Sequence, residues 1–202
     1  MDAHFLRTIQ QENTQLKEEV TRLRDYVSNL QSLYRAARHL LSEKNIMTLL
    51  DKTMYYALTV LDAHDGALLL RDEDTNELVF VLVQGQVRET LPGYRIAGNE
   101  GIAGWVAQHR EPVIVNNVRG DPRFSPRVDQ SFKFVTRKLV CVPLIARDKV
   151  LGVIEVLNKS GGQDFAEADV DLLSLLAVIS AIALDDLAGE PAPEDATAQP
   201  AT

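Results

Sequence analysis

"KLVCVPLIARDKVLGVIEVLNK", residues 138–159, consists of two apolar runs separated by a short polar "RDK". Each run is rich in Val, Leu and Ile and has the length of a strand. So short a link makes the pair a hairpin of antiparallel strands. Just downstream, Asp164 with Glu167 forms a capping-box-like start, and a helix is expected from about Ala166 to Leu187. Upstream, "PVIVNN" (112–117) reads as another strand. "IAGWVAQH" (102–109) reads as a short helix entered through the glycine run "GNEGIAG" (98–104). Further back, "ALLLR" (67–71) and "LVFVLVQG" (78–85) flank the polar turn "DEDTNE" as a second hairpin, and a helix is expected from Ile46 to Leu61. Strands joined by short turns, with helices collected beside them, imply an α+β domain built on an antiparallel sheet.

Between two of these strands lies "DPRFSPRVDQSFKF" (121–134). It is too long for a hairpin turn, and loops beyond about 12 residues in compact domains are usually functional or disordered. Its aromatics argue against disorder.

Ahead of the domain, Leu6, Ile9, Asn13, Leu16, Val20, Leu23, Val27, Leu30, Tyr34, Ala37 and Leu41 alternate at spacings of three and four. That is an a/d heptad register, the signature of a coiled coil. Val20 and Val27 at a with Leu16, Leu23 and Leu30 at d favour a parallel dimer, and Asn13 at an a site fixes register by pairing with its symmetry mate. Glu12 would meet Lys17 of the second chain, and Glu19 would meet Arg24. "SEKN" (42–45) ends the register. The expected division is therefore a coiled-coil dimerisation helix over 1–41 and the α+β domain over 42–187, its first helix beginning as early as residue 33. A disordered Pro/Ala/acid tail is expected over 188–202.

Composition narrows the function. With 29 acidic and 21 basic residues the net charge is −8, a poor basis for gripping nucleic acid or an anionic membrane. The longest near-apolar run, residues 172–184, is shorter than the roughly 20 residues of a membrane span. The N-terminus lacks the pattern of a signal peptide, and a single cysteine, Cys141, requires no oxidising compartment. A cytoplasmic location is expected. The four histidines are scattered, so neither a metal nor another cofactor is expected. Cys141 lies in an apolar strand and reads as an inert thiol. No Walker loop, dinucleotide fingerprint or nucleophile triad is legible, and the glycine run serves better as a tight helix entry than as an anion cradle.

"EGIAGWV" (100–106), "DPRF" (121–124), "VCVPL" (140–144) and "GVIEVLNK" (152–159) together resemble a GAF domain over about residues 33–187. The pattern is most similar to the GAF domains of cyclic-nucleotide phosphodiesterases and bacterial adenylate cyclases. Those carry an Asn-Lys…Phe…Asp-Glu signature, which Asn158, Lys159, Phe165 and Asp169 match, with Val170 in place of the glutamate. The motif is read as structural, a Lys–Asp pair fixing how the last helix leaves the sheet. Nucleotide-holding members read Ser-Thr-Gly-Phe-x-Thr after the loop. Here Ser131, Phe134 and Thr136 are kept, while Phe132 and Lys133 replace Thr-Gly.

The resemblance implies a non-catalytic, dimeric signalling module that senses a small ligand, with a cyclic nucleotide as one candidate, and passes the signal to a separate partner protein. The alternative is a dimerisation adaptor whose pocket is filled by its own Phe132 and Lys133. For the sensing reading, residues 117–136 form a lid over a pocket. Phe124, Phe132 and Phe134 would stack on a planar ligand, Arg123 and Arg127 would meet an anionic group, and Thr136 would donate a hydrogen bond. Asn117, Val118 and Asp121 complete the expected site. In the bland version the phenylalanines plug the core and the arginines pair with Asp121 and Asp129.

Overall fold

The computed structural model of the protein describes residues 3–189, apart from the side chains of residues 3–6 and 8. Leu6 of the heptad register and the expected tail from residue 190 onward lie outside the described residues. The elements run α1 (Ala3–Leu41), α2 (Ile46–Leu61), β1 (Asp65–Arg71), β2 (Glu77–Gln84), β3 (Arg95–Ala97), α3 (Gly101–His109), β4 (Val113–Val115), α4 (Arg127–Phe132), β5 (Leu139–Ala146), β6 (Lys149–Leu157) and α5 (Glu167–Gly189). The six strands form one antiparallel sheet in the order β3-β2-β1-β6-β5-β4.

Strand alternation sends side chains to two cores. On one face Leu68, Val140, Val142, Ile154 and Val156 pack against α2 and α5 and the last turns of α1. On the other, Leu69, Leu78, Ile96, Leu139, Cys141 and Val153 pack with Ile102 and Val106 of α3. The helices α1, α2 and α5 thus cover one face and leave the other to α3 and the long loop. The hairpin turn between β5 and β6 places Arg147 and Asp148 at positive φ, as the two-residue turns that match strand twist require. Arg147 reaches α5 there, at 2.8 Å from Asp185 and 3.1 Å from Asp186.

Helix α1 runs without a break from the heptad region into the domain. Leu33, Ala36 and Leu40 are buried in the first core, so the last turns of α1, from residue 33 on, pack with the domain while the helix itself ends at Leu41. Upstream, Leu16, Val20, Leu23, Val27 and Leu30 are 38% to 60% exposed in the single chain, and Asn13 is exposed as well. Helix α5 extends for 23 residues, well past the 13-residue apolar run, and by length and composition it could span a bilayer. Its inner side, Leu172, Leu173, Leu176, Ala177 and Leu184, is instead buried against the sheet and its companion helices. Leu175, Val178 and Ile182 remain exposed on its outer side.

Two elements were not foreseen. Strand β3 is only three residues long, pairs with β2, and is anchored by Arg95 to Asp72 and Glu77 at 2.8 Å each. Helix α4 folds inside the stretch expected to be irregular. The glycine run is steric in purpose. Gly101 sits at φ +71, and a Cβ on Gly104 would lie 2.4 Å from the backbone of Asn99. An L side chain is therefore strained at the first position and excluded at the second.

Candidate functional site

The segment from Asn117 to Thr136 is ordered by its own polar groups. A 3-10 turn (Val118–Gly120) opens it, and Val118 N–H donates to the Arg137 carbonyl (3.1 Å), tying its two ends together. Asp121 accepts from the Arg123 backbone N–H and guanidinium at 2.7–2.9 Å. The Arg123 guanidinium lies 4.6 Å over the Trp105 ring, on which His109 stacks at 4.1 Å. After Pro126 the chain turns into α4, which ends at Lys133 in the left-handed conformation (φ 54). This is the position where the nucleotide-holding pattern carries glycine. An L residue there costs about 1–2 kcal/mol. Lys133→Gly is therefore expected to raise the free energy of unfolding by up to about 1 kcal/mol, measured by urea titration, with no change in fold.

Asp129 is the buried pin of this lid. Its carboxylate accepts from the Thr136 hydroxyl (2.7 Å), the Thr136 backbone N–H (3.0 Å) and Arg119 (2.9 Å). Beneath the lid is a cavity of about 90 Å³. Its floor is sheet: Gly66 and Ala67 of β1, Phe80 and Val83 of β2, Leu139 of β5, and Glu155 and Leu157 of β6. Its roof is Phe124, Val128, Phe132 and Phe134, and the N-terminus of α3 closes one side through Gly101 and Ile102. The cavity is smaller than the roughly 300–1,000 Å³ of sites for drug-sized ligands. Walls this apolar with a few placed polar groups have the composition of a ligand site.

Beside the neutral Gln84, Ser125 and Thr136, the cavity is lined by four acids, Asp65, Glu100, Asp129 and Glu155, and by no Lys, Arg or His. Three of the acids are engaged. Asp65 accepts from the Gln86 N–H (3.1 Å), Glu100 accepts from Ser125 (3.0 Å) and faces Arg127 (3.4 Å), and Asp129 has the partners above. Glu155 differs. It is flanked by Ala67 of β1 and Cys141 of β5 in the ladder. It presents some surface to the cavity while lying deep under the lid, and among the described residues no cation pairs with it. Desolvation raises its pKa from 4.5 to about 7, with the Asp129 charge adding to the rise and the Cys141 thiol hydrogen bond opposing it. The same burial, with Glu155 beside it, pushes the Cys141 thiol well above its ordinary range, which leaves an inert thiol.

Of the eight residues assigned from sequence to a ligand, Phe124, Phe132, Phe134 and Thr136 line the cavity. Asn117, Val118, Asp121 and Arg123 do not. Val118 is core, Asn117 precedes the 3-10 turn, and Asp121 and Arg123 are spent on each other. Arg127, offered for an anion, faces Glu100 instead. Thr136 gives its hydroxyl proton to Asp129 and has none left to donate. Phe132 points inward, edge-on to Tyr94 at 5.1 Å, whereas Lys133 is exposed. Sequence reasoning passed over Glu155. The available signal was a lone acid in the apolar run "VIEVL".

The Asn-Lys…Phe…Asp residues form a clamp at the β6-to-α5 junction. Lys159 Nζ lies 2.7 and 2.9 Å from the two Asp169 oxygens, and the Ala166 N–H donates to Asp169 (2.8 Å). The Asn116 side chain holds the Phe165 backbone through both its amide atoms. Asn158 reaches the lid exit, accepting from Arg137 N–H (2.9 Å) and donating to the Val135 carbonyl (3.0 Å). Val170 is buried.

The GAF domain family model matches residues 45–184. A probable 3',5'-cyclic phosphodiesterase, pde-5, of Caenorhabditis elegans is 31% identical over 142 residues, 66% of this chain and 19% of that protein. The cone cGMP-specific 3',5'-cyclic phosphodiesterase subunit alpha' of Mus musculus is 34% identical over 84 residues, 42% of this chain and 10% of that protein. The chain thus spans a fifth or less of the length of these relatives. Among solved structures, the GAF domain of a phosphoenolpyruvate-protein phosphotransferase from Coxiella burnetii superposes with a TM-score of 0.70 at 20% identity, covering 77% of this chain and 92% of that one. The free methionine-R-sulfoxide reductase of Neisseria meningitidis, solved with its substrate, gives 0.68 at 20% identity over 81% and 92%.

Proposed function

The chain belongs to the GAF domain family, and on that premise we propose that it is a non-catalytic regulatory module that takes a small molecule into the cavity beneath the 117–136 lid. The observation that carries this reading is the cavity itself. It is apolar and roofed by a lid whose exit is bonded through Asn158 to the junction from which α5 departs. A ligand that moves the lid therefore acts on α5. The exposed apolar residues of α5 (Leu175, Val178, Ile182) and of α1 support a parallel homodimer through the heptad stripe, with the two domains meeting beside it. In this reading the signal leaves through those helices to a partner protein.

Cyclic nucleotides, the class that the relatives' names carry, are the first ligands to test. One would fit only with the lid displaced, and its phosphate would stay at the mouth, since no basic side chain lines the interior. A ligand at 100 times its dissociation constant stabilises the fold by about 2.7 kcal/mol. Thermal melts with millimolar cyclic AMP and cyclic GMP are expected to rise by several degrees if either is the ligand. Unmoved melts with both would remove that class. The inward Phe132 favours a second reading, an adaptor with a self-filled pocket, which predicts no response to any small molecule.

A further inference from the structure

From the make-up of the cavity wall we infer that this pocket receives the positively charged end, an ammonium or amidinium, of a small and otherwise apolar molecule, with Glu155 as its counter-ion. The inference deepens the ligand-sensing reading and rests on it.

Three observations carry it. The interior offers carboxyl groups and no cationic side chain. An anionic group driven to the floor would meet negative charge in a medium that screens it poorly. The N-terminus of α3 contributes only about half a positive charge, and Glu100 stands beside it. Second, the acids are not equivalent. Glu100 has Arg127, Asp129 has Arg119, and Asp65 is held by a backbone N–H. Among the described residues Glu155 has only the Cys141 thiol as a partner, so a ligand cation at the floor supplies the counter-charge that the fold omits. Third, around this one carboxyl the wall is aliphatic and aromatic, Ala67, Phe80 and Val83 below and Phe124, Phe132 and Phe134 above. These suit an apolar body and ring faces that attract a cation.

Cys141 on β5 and Asp129 on α4 act on Glu155 directly, Asp65 on β1 and Glu100 ahead of α3 line the same cavity, and none of the four is a cation. Ion pairing requires Glu155 ionised, so binding strengthens as pH rises through about 7. Between pH 6 and pH 8 the ionised fraction of a group titrating there changes about tenfold.

The test is an NMR titration of the full chain with benzylamine, whose ammonium stays charged across this range, and with benzyl alcohol, its neutral counterpart. Both are run on the wild type and on Glu155→Gln at pH 6 and pH 8. Expected are saturable shifts at Ala67, Gly101, Ala103 and Thr136 with benzylamine, about tenfold tighter at pH 8 than at pH 6. Glu155→Gln should lose that pH dependence and at least tenfold of the pH 8 affinity. If the alcohol binds as well as the amine, or Glu155→Gln keeps the affinity, the cation assignment is overturned while a ligand-taking cavity stands. If neither molecule shifts those residues, the cation assignment is overturned, and the sensing reading stands or falls separately on the nucleotide melts.

Discussion

Asp169→Ala is expected to lower the free energy of unfolding by about 3–5 kcal/mol, the cost of leaving one member of a buried ion pair behind. The side chains of Lys159 and Asp169 are only 16% and 10% exposed, so water cannot replace the lost partner. The Ala166 N–H loses its acceptor in the same step. At about 2–4 °C per kcal/mol for a domain of this size, the melting temperature falls by roughly 6–20 °C. The double variant Lys159→Met, Asp169→Leu removes both charges and is expected to recover much of the loss. Urea unfolding of the three proteins separates the charge effect from a packing effect. A loss below 1 kcal/mol for Asp169→Ala would mean that the clamp does not hold α5 to the sheet.

Glu155→Gln is expected to act in the opposite direction. The carboxyl titrates near 4.5 when exposed and near 7 in the fold. Between those values the native state binds the extra proton, so stability falls as pH rises across that window and the penalty is complete above about 7. A gap of 2.5 units at 1.36 kcal/mol each amounts to about 3 kcal/mol, an upper bound because the cavity admits water to the group. Glutamine carries no such penalty. The variant should match the wild type near pH 4.5 and exceed it by up to about 3 kcal/mol at pH 8. Parallel curves for the two proteins from pH 4.5 to 8 would show that Glu155 keeps an ordinary carboxyl pKa in the fold.

Much of this architecture was legible in the sequence, because it rests on local patterns. The 138–159 hairpin, the helix from Ile46 and the heptad stripe each follow from periodicity or a turn within one segment. Strand β3 was not legible. It is three residues long and owes its place to ladder bonds with β2 and to Arg95 reaching Asp72 and Glu77, 23 and 18 residues away. The end of α1 was read both as coil, because Tyr34, Ala37 and Leu41 continue the heptads, and as the start of the domain's first helix from residue 33, and the residues docked in the core are the neighbouring Leu33, Ala36 and Leu40. In the site, the aromatic residues of the lid were identifiable by type. Among the charges, Arg123 with Asp121 and Lys159 with Asp169 were expected pairings, while the destinations of Arg127 and Arg119 were not legible. Arg127 finds Glu100 across 27 positions and Arg119 takes Asp129, pairings that no spacing rule reveals. Glu155 looked like one polar residue in a strand until the lid closed over it.

The direct test of a ligand-taking cavity is native mass spectrometry of freshly purified protein beside Ala67→Leu, which places bulk on the cavity floor. Wild-type protein is expected as a dimer carrying a small molecule on each chain, and Ala67→Leu as a bare dimer. Bare wild-type protein, with a mass no greater than its polypeptide chains, would contradict the ligand-taking cavity.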